Sequence, residues 1–113
     1  MARVVVLGAG IAGHTAASFL KKWLKKNDEV VVISPQPTYN WIPSNIWVGV
    51  GLMGKEKVTF PLAPVYKNNG IQIRQAKAVA LWPEGTATDP KPAVEFEWTI
   101  EGKEGRRETL TYD

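Results

Sequence analysis

The first seventeen residues constrain this chain more than any other stretch. An apolar run, Val4-Val5-Val6-Leu7, passes directly into Gly8-Ala9-Gly10-Ile11-Ala12-Gly13 and on to Ala17. A β-branched run favours a strand, and glycines spaced G-x-G-x-x-G permit a tight turn into the next element. That element is a helix-forming run, Thr15 to Lys26, and after it comes a second apolar strand, Val30-Val31-Val32-Ile33. A βαβ unit therefore closes within the first thirty-four residues, and in that setting the glycine spacing carries chemical meaning.

Each glycine has a steric or electrostatic reason. Gly8 allows the turn off the strand, Gly10 lacks the Cβ that would hold a pyrophosphate away from the backbone, and Gly13 lets the helix pack closely on the sheet. The helix starts near Ile11, and the free N–H groups around Ile11, Ala12 and Gly13, with the positive end of the helix dipole, suit phosphate. Ala17, one turn on, extends the small-residue face beneath the strand. Three glycines here weaken helix and turn with no gain unless something approaches the backbone. The fingerprint alone leaves NAD, NADP and FAD open.

A chain of 113 residues with 44% hydrophobic content fits one small domain with a modest core. No run approaches the roughly 18 apolar residues of a membrane span, and Arg3 directly before a short strand is not a signal-peptide layout. The expected location is cytoplasmic or peripheral to a membrane. The absence of cysteine excludes disulfides, thiolate metal sites and cysteine redox chemistry within these residues. The net charge of +3, from 14 basic and 11 acidic residues, is too small an excess to point to nucleic acid. The basic cluster Lys21-Lys22-Trp23-Leu24-Lys25-Lys26 complements the carboxyl end of the first helix. Leu20 and Leu24, with Trp23 on their flank, form the stripe expected to face the sheet.

After the second strand the text changes character. Ser34 to Asn45 holds three prolines and several turn formers, which reads as a long loop. Tyr39, Trp41, Ile42, Ile46 and Trp47 are too apolar for a disordered segment, so the loop is expected to line a ligand. Ile46 to Met53 suits a short helix or turn pressed against something large and flat. In Phe60 to Gly70 a proline can occupy the first turn of a short helix that Asn69-Gly70 ends. Ile71 to Arg74 alternates as a third strand, and the order β-α-β-loop-α-β implies a parallel sheet with right-handed crossovers. Beyond it, Ala78–Trp82, Ala93–Ile100 and Arg107–Tyr112 read as an antiparallel meander. The chain thus divides into a nucleotide-binding part, 1–76, and a β-meander, 77–113, in an α/β, Rossmann-like fold.

Other residues carry less. His14, alone at the start of the helix, reads as packed or partly exposed, with a phosphate as a neighbour in reach. Trp23, Trp47, Trp82 and Trp98 read as core or sheet-face residues, and Trp41 as lining the ligand. No pair of carboxylates has the spacing of an acid–base couple, no metal-ligand spacing occurs, and no catalytic residue is assigned.

The chain resembles the amino-terminal part of the sulfide:quinone oxidoreductase family, within the flavoproteins that carry two dinucleotide-binding domains. The resemblance rests on Val4 to Gly13, on Tyr39-Asn40-Trp41-Ile42-Pro43-Ser44-Asn45 and on Phe60-Pro61-Leu62-Ala63-Pro64, and spans nearly the whole chain. It implies FAD in an extended pose, glutathione-reductase-like in fold. The pyrophosphate lies over Gly8 to Gly13, the adenosine ribose at Ser34 and Pro35, the adenine against the backbone of Lys77-Ala78, and the isoalloxazine toward Trp41, Ile42 and Pro43. Where the family commonly places an acid on the ribose, this chain has Ser34, whose hydroxyl makes one bond without charge assistance. That departure argues against NAD, and no nearby arginine or lysine offers a site for the 2′-phosphate of NADP.

The resemblance further implies that sulfide is oxidised at cysteines and electrons pass through FAD to quinone. The cysteines, the second nucleotide domain and the carboxy-terminal membrane-binding helices would lie beyond Asp113. So would an apolar strand that returns to the parallel sheet after Thr111-Tyr112-Asp113. These 113 residues are accordingly expected to be a truncated domain, inactive alone. The first strand is expected to be left with an open apolar edge that pairs with a second copy. Two other readings stand beside this one: the front half of a type II NADH:quinone dehydrogenase, and a stand-alone nucleotide-binding module.

Overall fold

A computed structural model describes residues 2–113. Its centre is β2 (Glu29–Ser34), in which Val30, Val31, Val32 and Ile33 are each at most 1% exposed. The run is continuously apolar because both faces of the strand are covered. Val30 and Val32 face one core with Ala17, Leu62, Tyr66 and Ile71, whereas Ile33 faces a second core with Ala76, Val94 and Phe96. Burial of each such side chain stabilises the fold by roughly 1.5–3 kcal/mol before conformational entropy is counted.

Strand β1 (Arg3–Leu7) pairs in parallel with β2, setting Val4 beside Val30 and Val6 beside Val32. Helix α1 (Ile11–Trp23) crosses back over this pair. The helix ends short of Lys26. Leu24 already has extended backbone, and the Asp28 carboxylate accepts the N–H groups of Lys25 at 3.0 Å and Ala2 at 2.8 Å, drawing the chain toward β2. Those two backbone bonds hold the Asp28 carboxyl below its ordinary range. Lys21 and Lys22 lie in the last helical turn, where they complement the dipole. Trp23 does not flank the packed stripe: it is 75% exposed, while Leu20 and Leu24 reach the core.

The segment after β2 is more ordered than its composition suggests. Thr38–Asn40 forms β3, paired antiparallel with β4 (Thr59–Pro61) in a separate two-stranded sheet, with Tyr39 opposite Phe60. Between them lie a 3₁₀ turn at Ile42–Ser44 and the short helix α2 (Asn45–Gly49). Helix α2 stops before Met53, and Ile46, Trp47, Val50 and Leu52 are all exposed. Helix α3 (Leu62–Asn68) buries Leu62 and Tyr66 against β2, and Gly70, at φ +72°, turns the chain after it.

The third parallel strand and the first meander strand are one element. Strand β5 (Gln72–Trp82) runs eleven residues, pairing in parallel with β2 through Gln75 and antiparallel with β6 (Ala93–Trp98) from Ala76 onward. Residues 76 and 77 therefore fall inside a continuous strand. A bulge lies between Ala78 and Ala80. Strand β7 (Arg107–Thr111) completes a five-stranded sheet of order β1-β2-β5-β6-β7. The fold is α/β, with a parallel β1-β2-β5 part and an antiparallel β5-β6-β7 part. Strand β1 lies at the sheet edge, and at its start Asp113 donates its N–H to the Arg3 carbonyl at 3.0 Å. Of the four tryptophans expected in the core or on a sheet face, Trp23, Trp47 and Trp82 are exposed and Trp98 is half-buried.

Candidate functional site: the glycine turn and its surroundings

The parallel strands end at one edge. The register aligns Leu7 with Ile33 and Ile33 with Arg74, so the Gly8–Gly13 turn and Ser34-Pro35 both leave the sheet at its carboxyl side. In open α/β sheets that edge is where ligands bind. Lys77-Ala78 lie a few residues further along β5.

The three glycines play different parts. Gly8 has φ +98°, a conformation that favours glycine, and its N–H donates to the Ile33 carbonyl at 2.8 Å, tying the turn to the end of β2. A Cβ on Gly13 would overlap the Gly8 carbonyl group, whose carbon would be 2.9 Å away, so this glycine is required by helix–strand packing. A Cβ on Gly10 would meet nothing within 4 Å, and its φ of −75° is ordinary. Nothing within the chain requires glycine there. The space beside Gly10 is open, and a methyl group there would stand between the main chain and a phosphate lying against it.

Helix α1 opens onto the same space. Gly10 is its N-cap, no side chain caps it, and its first turn holds no acidic residue. The early N–H groups, those of Ile11, Ala12 and Gly13 among them, therefore lack a side-chain acceptor and present the positive end of the helix dipole. Pyrophosphate fits this donor set.

The remaining positions are arranged less simply. Ser34 is 4% exposed, and its hydroxyl donates to the Gln36 carbonyl at 2.9 Å while accepting the Gln36 N–H at 3.3 Å. The side chain thus closes a local turn, its one proton directed at the main chain. The Pro35 carbonyl accepts the Thr99 hydroxyl at 3.0 Å, joining the end of β2 to the segment after β6. Trp41 is 47% and Ile42 59% exposed, and Pro43 lies in the 3₁₀ turn just after Trp41. The base of this loop is held by the Trp41 N–H donating to the Val58 carbonyl at 2.7 Å. Lys77 pairs with Glu97 at 3.1 Å, and this cation holds the Glu97 carboxyl below its usual range, with Arg107 adding to the effect. Ala78 is exposed, immediately before the bulge.

His14 is the residue whose setting the sequence did not disclose. Its Nδ1 lies 2.9 Å from the Tyr66 hydroxyl, and its ring packs against Tyr39, Phe60 and Tyr66. Burial lowers the proton affinity of the imidazole, and burial also raises the Tyr66 phenol above its ordinary range. The partners are far apart in sequence, so no local spacing could have revealed them. Among the described residues no group of histidine and carboxylate side chains could hold a metal ion, and no helix is long and apolar enough to cross a membrane.

No protein-family model matches the chain. By sequence it is similar to the sulfide-quinone reductase of Aquifex aeolicus (strain VF5), at 25% identity over 118 aligned positions that cover 96% of this chain and 27% of that protein. By fold it is similar to the sulfide:quinone oxidoreductase of the same hyperthermophilic bacterium, with a TM-score of 0.80 and 22% identity over 100% of this chain and 23% of that one. The structure of NDH2 from Plasmodium falciparum in complex with NADH also matches, with a TM-score of 0.74 and 21% identity over 99% of this chain and 21% of that chain. The chain spans about a quarter of the length of these proteins. The resemblance to the amino-terminal part of the sulfide:quinone oxidoreductase family that its three motifs carry is thus present in both sequence and fold, over nearly all of the chain.

Proposed function

We propose that this chain is the FAD-binding portion of a flavin-dependent oxidoreductase that, in its intact form, takes electrons from sulfide and delivers them to quinone. The observation that carries the nucleotide reading is the contrast between Gly13, which packing requires, and Gly10, whose Cβ position faces open space at the uncapped start of α1. The uncapped start of α1 would hold the pyrophosphate through main-chain N–H groups. FAD, when bound, supplies the two-electron carrier. The chain's own residues bind and orient it: the turn after β1 at the phosphates, Ser34-Pro35 at the ribose, Lys77-Ala78 beside the adenine, and Trp41-Ile42-Pro43 as an apolar wall at the ring end.

FAD is favoured over the pyridine nucleotides by the resemblance to a flavoprotein family along nearly the whole chain; at the end of β2, Ser34 stands in place of an acid and turns its hydroxyl to Gln36. Sulfide is favoured over NADH as the donor by the match to a sulfide-quinone reductase along nearly the whole sequence, in addition to the fold. The 113 residues hold no cysteine, so the sulfur chemistry would be carried by other parts of the intact protein, as would attachment to the membrane where quinone resides.

Equilibrium binding of FAD, ADP and NADH to the chain tests the reading. FAD is expected to bind more tightly than ADP, and ADP more tightly than NADH, with Gly10→Val abolishing all three. A chain that binds NADH best, or a Gly10→Val variant that binds FAD as well as wild type, overturns it.

A further inference from the structure

We propose that His14 is a positioning residue that couples the phosphate cradle to the aromatic loop, so that the two ends of the nucleotide site are held at a fixed separation; this rests on the nucleotide reading above. The main chain of His14 belongs to the cradle. Its N–H donates to the Gly10 carbonyl at 2.9 Å, closing the first turn of α1 directly behind the glycine turn. Its side chain belongs to the other end. The ring lies 4.8 Å from the Tyr39 ring on β3, 5.8 Å from Phe60 on β4 and 5.5 Å from Tyr66 on α3, and its Nδ1 meets the Tyr66 hydroxyl at 2.9 Å. Tyr39 stacks on Phe60 at 4.9 Å and stands two residues before Trp41. One residue therefore touches the cradle and every element that carries the loop.

A purely apolar side chain at this position would fill the space without reproducing this link. Tyr66 is 1% exposed, and a buried phenol needs a hydrogen-bond partner; His14 is the side chain that provides it. A hydrogen bond has a direction as well as a length, so it fixes how α1 is rotated against α3, which follows β4 directly, where packing alone tolerates slip. The link also lies inside the chain and leaves the cradle N–H groups free. Its effect on binding is largest for ligands long enough to reach both ends.

The experiment compares FAD, which reaches from the adenine and ribose positions through the cradle to the loop, with ADP, which lacks the part that reaches the loop. The variants are His14→Phe and Tyr66→Phe, which keep the ring packing and remove the hydrogen bond, and His14→Gln, which restores an acceptor for the phenol. His14→Phe and Tyr66→Phe are expected to lower FAD affinity about three- to tenfold relative to ADP, with His14→Gln close to wild type. Amide exchange supplies a second readout: ADP at the cradle slows exchange over residues 38–44 in wild type and not in His14→Phe. Should His14→Phe fail to fold, Tyr66→Phe carries the comparison. An unchanged FAD to ADP ratio in the folded variants, or no slowing of exchange by ADP in wild type, overturns the coupling and leaves nucleotide binding standing. A wild-type chain that binds neither ligand overturns the nucleotide reading, and the coupling with it.

Discussion

Gly13→Ala and Gly10→Ala differ by three positions and are expected to fail in opposite ways. At Gly13 the new methyl group enters the Gly8 carbonyl, whose carbon is 2.9 Å from the Cβ position, and that carbonyl is main chain, unable to rotate aside. The turn cannot retreat either, because the Gly8 N–H is bonded to the Ile33 carbonyl at 2.8 Å. Helix α1 must lift from the sheet, opening a gap above Ala17, which is 0% exposed. Overpacking of this kind costs about 1–3 kcal/mol, and the strain here sits toward the upper end because the obstacle is backbone. Against it stands the helix propensity gained by replacing glycine with alanine, about 1 kcal/mol. The net loss is roughly 1–2 kcal/mol, which at a urea m-value of about 1–3 kcal/mol/M lowers the midpoint by on the order of 1 M.

At Gly10 the methyl group enters open space, on backbone that alanine adopts readily. Gly10 is the N-cap, where alanine serves less well than glycine, so stability should fall by about 0.5–1 kcal/mol, less than at Gly13, while nucleotide affinity falls at least about tenfold as the phosphate is held off the main chain. Urea denaturation followed by tryptophan fluorescence and equilibrium binding on the same samples separate the two effects. A Gly13→Ala protein as stable as wild type would show that the helix does not rest on the turn as described. Equal losses of stability in the two variants would refute the distinction between a packing glycine and a ligand glycine.

Three further expectations rest on the side-chain environments. Burial disfavours the charged form of His14, so the folded state binds fewer protons than the unfolded chain around the ordinary histidine value of about 6.5. Stability is therefore complete above that value, declines as pH falls through it, and levels off below the folded value. A pH series of urea midpoints should show this slope in wild type and lose it in His14→Gln; a slope retained in the variant refutes the assignment. Glu97→Gln removes the partner of two cations, Lys77 and Arg107, whose side chains are 56% and 59% exposed, so its thermal midpoint should match wild type at high salt. A large loss at high salt would contradict that. Trp98 buries an indole N–H with no acceptor, although the ring packs edge-on against Phe96 at 5.3 Å. Trp98→Phe removes the orphaned donor and keeps an aromatic ring, so the unfolding free energy from urea denaturation should hold or rise, and a fall of more than about 2 kcal/mol would show the indole N–H to be satisfied.

How far the sequence spoke depended on the length of each pattern. Val4–Leu7, Val30–Ile33 and the alternation from Val94 to Trp98 extend over enough residues to define strands, and all three are strands. Strands β3 and β4 have three residues each and are separated by eighteen, too short for alternation to be read and too far apart to suggest a hairpin. Their pairing is a tertiary event, secured by Tyr39 and Phe60 stacking on each other and on His14. The end of α1 is not legible in the helical pattern because Asp28 captures backbone N–H groups from outside it. At the site, the glycines are legible because their constraint is local. The buried turn at Ser34 and the His14–Tyr66 bond depend on what the chain brings alongside, and no residue announces that by its own type.

The unbroken strand β5 has a consequence for how this architecture can be modified. At roughly 3.3 Å per residue its eleven residues form a rod about 36 Å long, shared end to end by the parallel and antiparallel parts of one sheet. Adding or removing one residue within such a rod reverses the facing of every side chain beyond it, sending Ala76 or its partners to the wrong core. Lengths between the parallel and antiparallel parts can therefore drift only in steps of two, except at the bulge. There, the extra residue Val79 already stands outside the pairing between Ala78 and Ala80, exposed. That single position is the joint at which the strand tolerates odd arithmetic, and deletion of Val79 should straighten β5 and swing the outer sheet without disturbing the register of β2.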